Sequence, residues 1–542
     1  MAENIVHLVL ARVIGAPEGV KGISLFICPK FMPDGSRNDV HCVSIEHKLG
    51  IKASPTAVLQ FGDHGGATGY LIGQENRGLE YMFIMMNAAR YAVGMQGIAV
   101  AERAYQQAAA YAKDRVQSRP VDGSLPGSAP IIHHPDVKRM LMTMRSLTEG
   151  CRAMAITAAA AYDAAHAHPD AEVRKQNQAF YEFMVPLVKG YSTEMSIEHK
   201  LGIKASPTAV LQFGDHGGAI GTLVGQENRG LEYMFIMMNA ARYAVGMQGI
   251  AVAERSYQKA VQYARDRVQS RPVDGSLPGS APIIHHPDVR RMLMTMRSLT
   301  EGCRAMAITA AAAHDAQHAH PDADARKQNQ AFYEFMVPLV KGYSTEMSLE
   351  VTDLGVQVHG GMGFIEETGA AQYYRDAKIL TIYEGTTAIQ ANDLVGRKTM
   401  RDGGQTAKGI AKQIEVTEAA LAKSASPAAQ SMLKALSAGR AAFVDVVEFV
   451  VANGKTKPNA VFAGSVPYLM LAGNVVAGWQ LARALLVAEA QLAKGEGDAA
   501  FLNAKVATAR FYAEHILTRA SSLRAAILDG ADSVTALALD SF

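Results

Sequence analysis

The rhythm of the apolar positions changes near residue 73. Before it, short β-rich runs alternate with turn residues. Ile5 to Ile14 reads as a strand, Ala16-Pro-Glu-Gly19 as a turn and Ile23 to Pro29 as a second strand. Thr56 to Phe61 and Tyr70 to Ile72 add two more around the turn Asp63-His64-Gly65-Gly66, so this part is antiparallel β material. Beyond it the period is helical. Leu79, Met82, Phe83 and Met86 share one face, which continues through Ala104 and Ala108 towards Arg115. This Met-rich stripe reads as core packing. A Gly- and Pro-rich loop from Arg119 to Pro130 precedes a helix carrying Val137, Met140, Leu141 and Met144. Residues 401–542 are Ala- and Leu-rich and read as helices, broken at Asn453 to Pro458 and at Gly495 to Gly497. Tyr468 to Leu492 is the most apolar long segment. It contains Gly473, Asn474, Gln480 and Arg483 and reads as a buried helix with Trp479 in the core, not as a membrane span.

The pattern also repeats. Residues 44–195 return as 196–347 at an offset of 152 with about a dozen substitutions, far longer than a solenoid period. Asn87 and Arg90 recur as Asn239 and Arg242, and Arg115 as Arg267. Near-identity through β and helical parts alike is the mark of a recent tandem duplication or of an error of gene assembly.

Composition changes this picture little. The chain has 542 residues, 49% hydrophobic content and a formal charge of +2, which fits an ordinary soluble protein and gives no electrostatic footprint for nucleic acid. Cys28, Cys42, Cys151 and Cys303 form no C-x-x-C pair and no zinc spacing, so they read as reduced, mostly buried thiols of a cytoplasmic protein. His133 and His134 have no partner at metal spacing and read as surface or capping residues, so no metal is expected. No signal peptide is expected ahead of the first strand.

Chemistry concentrates between Val351 and Arg397. Val351, Leu354, Gly355 and Val358 open a helix that Gly360, Gly361 and Gly363 end, and such closely spaced glycines let backbone approach a ligand. A short helix through Tyr374 and Arg375 follows, then the β-branched run Ile379 to Tyr383, broken by Glu384-Gly385. Thr387-Ala-Ile-Gln390 is a capping-box pattern that starts a third helix. Glu384 is thereby set on a turn ahead of a helix N-terminus, beside a glycine that leaves room for a substrate.

Three sub-motifs in this order, Gln357-x-x-Gly360-Gly361-x-Gly363-Phe364, Tyr374-Arg375-Asp376-Ala377-Lys378 and Tyr383-Glu384-Gly385-Thr386, resemble the C-terminal signature of the acyl-CoA dehydrogenases. Similarity extends further. Gly22 to Pro29 resembles the family's middle β-domain, Lys48 to Thr56 its next element, and the helical tail the long-tailed branch that includes the 3-methylmercaptopropionyl-CoA dehydrogenases. The resemblance implies a mainly α fold with a partial antiparallel β-domain. Its parts are a partial middle β-domain at 1–73, a first helical copy at 74–195, a duplicated β segment at 196–226, a helical dehydrogenase bundle at 227–400 and a helical extension at 401–542. The family's N-terminal helical domain and flavin-ring loops are not found in the sequence.

The resemblance further implies FAD-dependent α,β-dehydrogenation of an acyl-CoA thioester, with Glu384 as the base and its backbone N–H as one donor to the thioester carbonyl. Gln357, Gly360, Gly361 and the arginines Arg267 and Arg115 would contact FAD, Arg267 foremost because its copy runs directly into the signature. Thr386 and Thr387 would offer a helix N-terminus to the cofactor's anionic parts. Asn239 and Arg242, with Asn87 and Arg90 in the first copy, would hold the CoA end, and Tyr383 and Gly385 would border the acyl group. An apolar acyl slot is expected to raise the pKa of the base. A homodimer and an electron acceptor such as an electron-transfer flavoprotein are implied. The rival reading is a flavin-free relic that serves as a helical scaffold or oligomer partner.

Overall fold

The computed structural model describes residues 4–51, 54–194, 223 and 225–541. Strands β1 (Val6–Arg12), β2 (Ile23–Pro29), β3 (Val40–Ile45), β4 (Ala57–Phe61) and β5 (Tyr70–Ile72) form two antiparallel sheets. One has the order β1-β2-β5, with Val6 opposite Pro29 and Leu25 opposite Ile72. The other pairs β3 with β4, Val40 opposite Phe61, and its register shifts between Cys42 and Ser44. Of the duplicated β segment expected at 196–226, residues 196–222 and 224 lie outside the described residues.

Helices α1 (Gly78–Asp114), α2 (Pro135–Ala167) and α3 (Ala171–Glu194) belong to the first copy. Helices α4 (Gly230–Asp266), α5 (Pro287–Ala319) and α6 (Ala323–Pro338) repeat them, and a π-helical turn, Leu339–Tyr343, leads from α6 into α7 (Ser344–His359). The signature adds α8 (Ala370–Leu380) and α9 (Thr387–Asp393). The tail holds α10 (Gln405–Leu421), α11 (Pro427–Asn453), α12 (Pro458–Ala463), α13 (Ser465–Lys494), α14 (Ala499–His515) and α15 (Arg519–Leu528). Local chemistry sets the ends. The Asp322, Ser426 and Asp498 side chains cap α6, α11 and α14, Pro427 occupies the first turn of α11, and Gly495 stops α13 at φ 70°.

The chain divides into two compact units, residues 1–114 with 140–199, and residues 115–139 with 200–542. In the second, α13 runs through the core: Tyr468, Leu469, Ala472, Val475 and Val476 are buried. Trp479 is buried too, and its indole N–H donates to Thr417 at 2.8 Å. Among the described residues, only α13 is long and apolar enough to cross a membrane, and 72% of its apolar window is buried inside the protein. The four cysteines are free, and only Cys42 is exposed.

The repeat shows what burial depends on. Phe335 and Tyr343 are 1% and 0% exposed, whereas their counterparts Phe183 and Tyr191 are 66% and 50% exposed. The local sequence is the same. The difference is the tail: a Cβ on Gly473 of α13 would stand 2.2 Å from the Tyr343 ring, so the glycine lets helix and ring pack in contact. The Tyr343 hydroxyl donates to Asn474 at 2.8 Å. Arg519 of α15 clamps Glu350 of α7 with two hydrogen bonds of 2.6 and 2.8 Å. Deleting the chain after Arg401 would uncover this apolar surface, so the shortened protein is expected to aggregate or change its oligomeric state. Unaltered size-exclusion behaviour would contradict a packing role for the tail.

Candidate active site

The turn after α8 places Glu384. The β-branched run Ile379 to Tyr383 is not extended as its composition suggests. Helix α8 continues to Leu380, and the N–H groups of Ile382 and Tyr383 still donate to the Ile379 carbonyl. Glu384 then adopts φ 54° and Gly385 φ 90°. Positive φ at a non-glycine residue is held only where its surroundings impose it. Here Lys341 donates from Nζ to the Gly385 carbonyl at 2.6 Å, and the Gln390 amide donates to the Glu384 and Gly385 carbonyls at 3.3 and 3.2 Å. A Cβ on Gly385 would meet that amide nitrogen at 2.9 Å, so a glycine suits the site. The Glu384 carboxylate is exposed, so the apolar slot expected around the base is not closed over it. The Glu384 N–H has no acceptor among the described residues.

Lys341 is fully buried, and burial brings its ammonium down to about 8, with the Glu346 and Glu384 carboxylates opposing that shift and the Arg242 cation adding to it. Tyr383 donates to Gln248, and burial followed by the Glu384 charge raises its phenol. Thr386, not Thr387, is the N-cap of α9, accepting from the Ile389 N–H at 3.3 Å. Thr387 is buried, its hydroxyl donating to Glu346 and its N–H to the Thr381 carbonyl at 3.0 Å. The free helix N-terminus expected there is thus largely used internally.

Arg242 is also turned inward. It is 3% exposed and donates to Asp393 of α9 at 3.0 Å, which ties α4 to the helix after Glu384. Asn239 is half-buried on α4, and Arg90 is half-buried on α1. The side chain of Asn87 lies outside the described residues.

A second place assembles other expected residues. Arg267 at the end of α4, Gln357 of α7 and Gly360 line one cavity of about 330 Å³ with Tyr263, Ser270 and His359. Gly360 ends α7 at φ 58°, and an added Cβ there or at Gly361 would meet nothing within 4 Å, so the backbone faces open space. The Arg267 guanidinium is exposed and has no partner among the described residues. His359 is stacked on Tyr263 at 4.4 Å and pairs through Nδ1 with the Gly355 carbonyl at 2.7 Å; burial lowers its pKa. Glu384 does not line this cavity. Arg115 is exposed, its carbonyl accepting from Ile131, and it does not line the cavity either.

Sequence reasoning missed Lys341 and Glu346, and it read Gln390 only as part of a capping box, whereas its amide holds the Glu384 and Gly385 carbonyls. The one signal available was a lysine inside the apolar run Phe335 to Tyr343.

The acyl-CoA dehydrogenase C-terminal domain matches this chain twice, over residues 76–197 and 228–398, and the acetyl-CoA dehydrogenase C-terminal-like domain matches residues 407–538. The chain therefore belongs to the acyl-CoA dehydrogenase family. It is similar to the 3-methylmercaptopropionyl-CoA dehydrogenase of Ruegeria pomeroyi, 56% identical over 64% of this chain and 58% of that protein. A broad-specificity linear acyl-CoA dehydrogenase of Mycobacterium tuberculosis is 38% identical over 61% of this chain and 56% of that protein. A butyryl-CoA dehydrogenase of Syntrophomonas wolfei is 33% identical over 60% of this chain and 54% of that protein. The chain thus spans a little over half the length of the curated relatives it matches.

Proposed function

We propose that this chain carries the catalytic half of a flavin-dependent acyl-CoA dehydrogenase, with 3-methylmercaptopropionyl-CoA as the candidate substrate. The observation that carries this reading is the Glu384 turn: an exposed carboxylate on a positive-φ backbone, pinned from below by Lys341 and Gln390. The substrate follows the name of the relative that is 56% identical.

In this reading Glu384 removes the α-proton of the thioester. An α-proton is weakly acidic, so the carbonyl needs a donor already in place, and the unused Glu384 N–H is one. Gly385 lets the Gln390 amide approach the turn closely from beneath. Arg242 acts by fixing α9 through Asp393 and not by presenting an open cation.

The residues of the cavity fit FAD in part. A guanidinium with no partner among the described residues and a glycine backbone facing open space are a donor set for a diphosphate, and about 330 Å³ holds a fragment of a dinucleotide. Bound there, the flavin cofactor would supply acceptance of the β-hydride. An electron-transfer flavoprotein as acceptor, a homodimer and a cytoplasmic setting accompany this reading.

Purified protein is expected to show flavin absorbance that bleaches on adding 3-methylmercaptopropionyl-CoA or butyryl-CoA. Arg267→Ala should lower flavin content more than Arg115→Ala, because only Arg267 stands with Gln357 and Gly360. Greater loss from the Arg115 change would contradict the assignment. Colourless protein that still folds would favour the flavin-free scaffold, a reading consistent with the inward use of Thr387.

A further inference from the structure

We propose that Asp39, His41 and His64 form a binding site for one divalent transition-metal ion of the zinc, cobalt or nickel kind. Their donor atoms all lie within 4.8 Å of one another, the only such group of three among the described residues. The site is built by the β3–β4 sheet. Asp39 immediately precedes β3, and the alternation of a strand puts His41 on the same side two residues on. Pairing of Val40 with Phe61 brings the end of β4, and the turn carrying His64, beside them.

The carboxylate is already oriented. Its Oδ2 accepts from the His64 N–H at 2.5 Å and the Gly66 N–H at 3.4 Å, and the Asp39 carbonyl accepts from the Gly62 N–H at 2.9 Å. Its Oδ1 faces both imidazoles, 3.1 Å from His41 Nε2 and 3.4 Å from His64 Nδ1. Tetrahedral ligands bound at about 2.0–2.2 Å stand about 3.3–3.5 Å apart. Both imidazole–carboxylate distances already match this within a few tenths of an ångström. Only the two rings, 5.1 Å apart between centroids, have to close on each other. The His64 side chain is 75% exposed, so its ring has room to turn towards a shared ion.

Two imidazole nitrogens and one carboxylate oxygen suit zinc, cobalt or nickel better than calcium or magnesium, which want oxygen throughout. Cys42 alternates to the other face of β3, its thiol 3.5 Å from the Ser44 carbonyl, and is not a ligand. The ion would tie the start of one strand to the turn after its partner. A two-stranded sheet is marginal by itself, so such a staple has a structural use. The sequence repeat gives a stoichiometry. His64 recurs as His216, but Asp39 and His41 precede the repeated segment, so the site occurs once.

The test is metal titration of the full chain after treatment with a chelator, using Co²⁺ absorbance and Zn²⁺ calorimetry. One ion per chain is expected. His41→Gln and His64→Asn should each weaken binding about tenfold or more and remove the cobalt d–d bands, with far-UV circular dichroism unchanged. His64 is exposed, so its variant tests the site even if the strand residue is needed for folding. The control is His314→Tyr, which breaks the helical His314/His318 pair by installing the residue found at Tyr162 in the first copy. It should leave binding unchanged. No bound ion, binding indifferent to His64→Asn, or binding lost in His314→Tyr would each overturn the proposal. None of these outcomes depends on flavin or acyl-CoA.

Discussion

Glu384→Gln is expected to cut α-proton exchange of butyryl-CoA in deuterated buffer by about 10²–10⁴-fold or more, the usual worth of a general base. The substitution keeps side-chain length and hydrogen bonding and removes only the ability to take a proton. The turn should persist, because Lys341 and Gln390 hold it through the Glu384 and Gly385 backbone carbonyls. Flavin content should also persist, since Glu384 does not line the Arg267 cavity. Neighbouring carboxylates are poor substitutes. Glu366 accepts from Arg375 at 3.1 Å, and Glu346 accepts from the buried Thr387 hydroxyl. Undiminished exchange in the Gln variant, measured against the parent chain, would place the base elsewhere and end this reading of the signature.

Local signals carried the helices and their ends. Gly360 and Gly495 stop helices as their positions suggested, and the tail breaks at Asn453 to Pro458 and Gly495 to Gly497 coincide with real helix ends. The Thr386 cap was misplaced by one residue because Thr386 and Thr387 are both competent caps, and tertiary contact with Glu346 decides which one is spent inside. Strand β3 escaped notice because its alternating residues include His41 and Ser44 and its register shifts near its middle.

Burial was the least legible property. Phe183 and Phe335 have the same neighbours in sequence, yet Phe335 is buried against Phe443 of the tail while Phe183 is exposed. No window of a dozen residues contains that information. Lys341 escaped for a related reason. The π-helical turn Leu339–Tyr343 buries five consecutive residues, so a 3.6-residue period drawn through α6 points the lysine the wrong way. In the first copy the same segment stays within the regular helix α3, and Lys189 is exposed.

That buried lysine leads to the second large effect. Lys341→Met should loosen the Glu384 turn and remove a pH dependence of stability. Methionine fills similar space but cannot donate to the Gly385 carbonyl, leaving it to the Gln390 amide alone. A charge-assisted hydrogen bond of about 1.5–3 kcal/mol is lost, and the cost of burying a cation is relieved, so overall stability near pH 7 should change little. Order at the turn should fall, read as faster amide hydrogen exchange from Tyr383 to Thr387 and as weaker α-proton exchange of the acyl-CoA. The pH effect has a definite sign. The folded chain holds the Lys341 ammonium at about 8, below its ordinary 10.5, so between these values the unfolded chain binds more protons. Stability of the parent therefore rises with pH across that window relative to the variant, and below about pH 8 the difference is constant. Between pH 7.5 and 10 the parent should gain about 2–3 kcal/mol on the Met variant in urea unfolding, the equivalent of roughly two pKa units. Other lysines and tyrosines titrate in both proteins and cancel in the difference. Parallel pH profiles for the two proteins would mean that Lys341 keeps an ordinary ammonium in solvent, and that the turn beneath Glu384 is held by Gln390 without it.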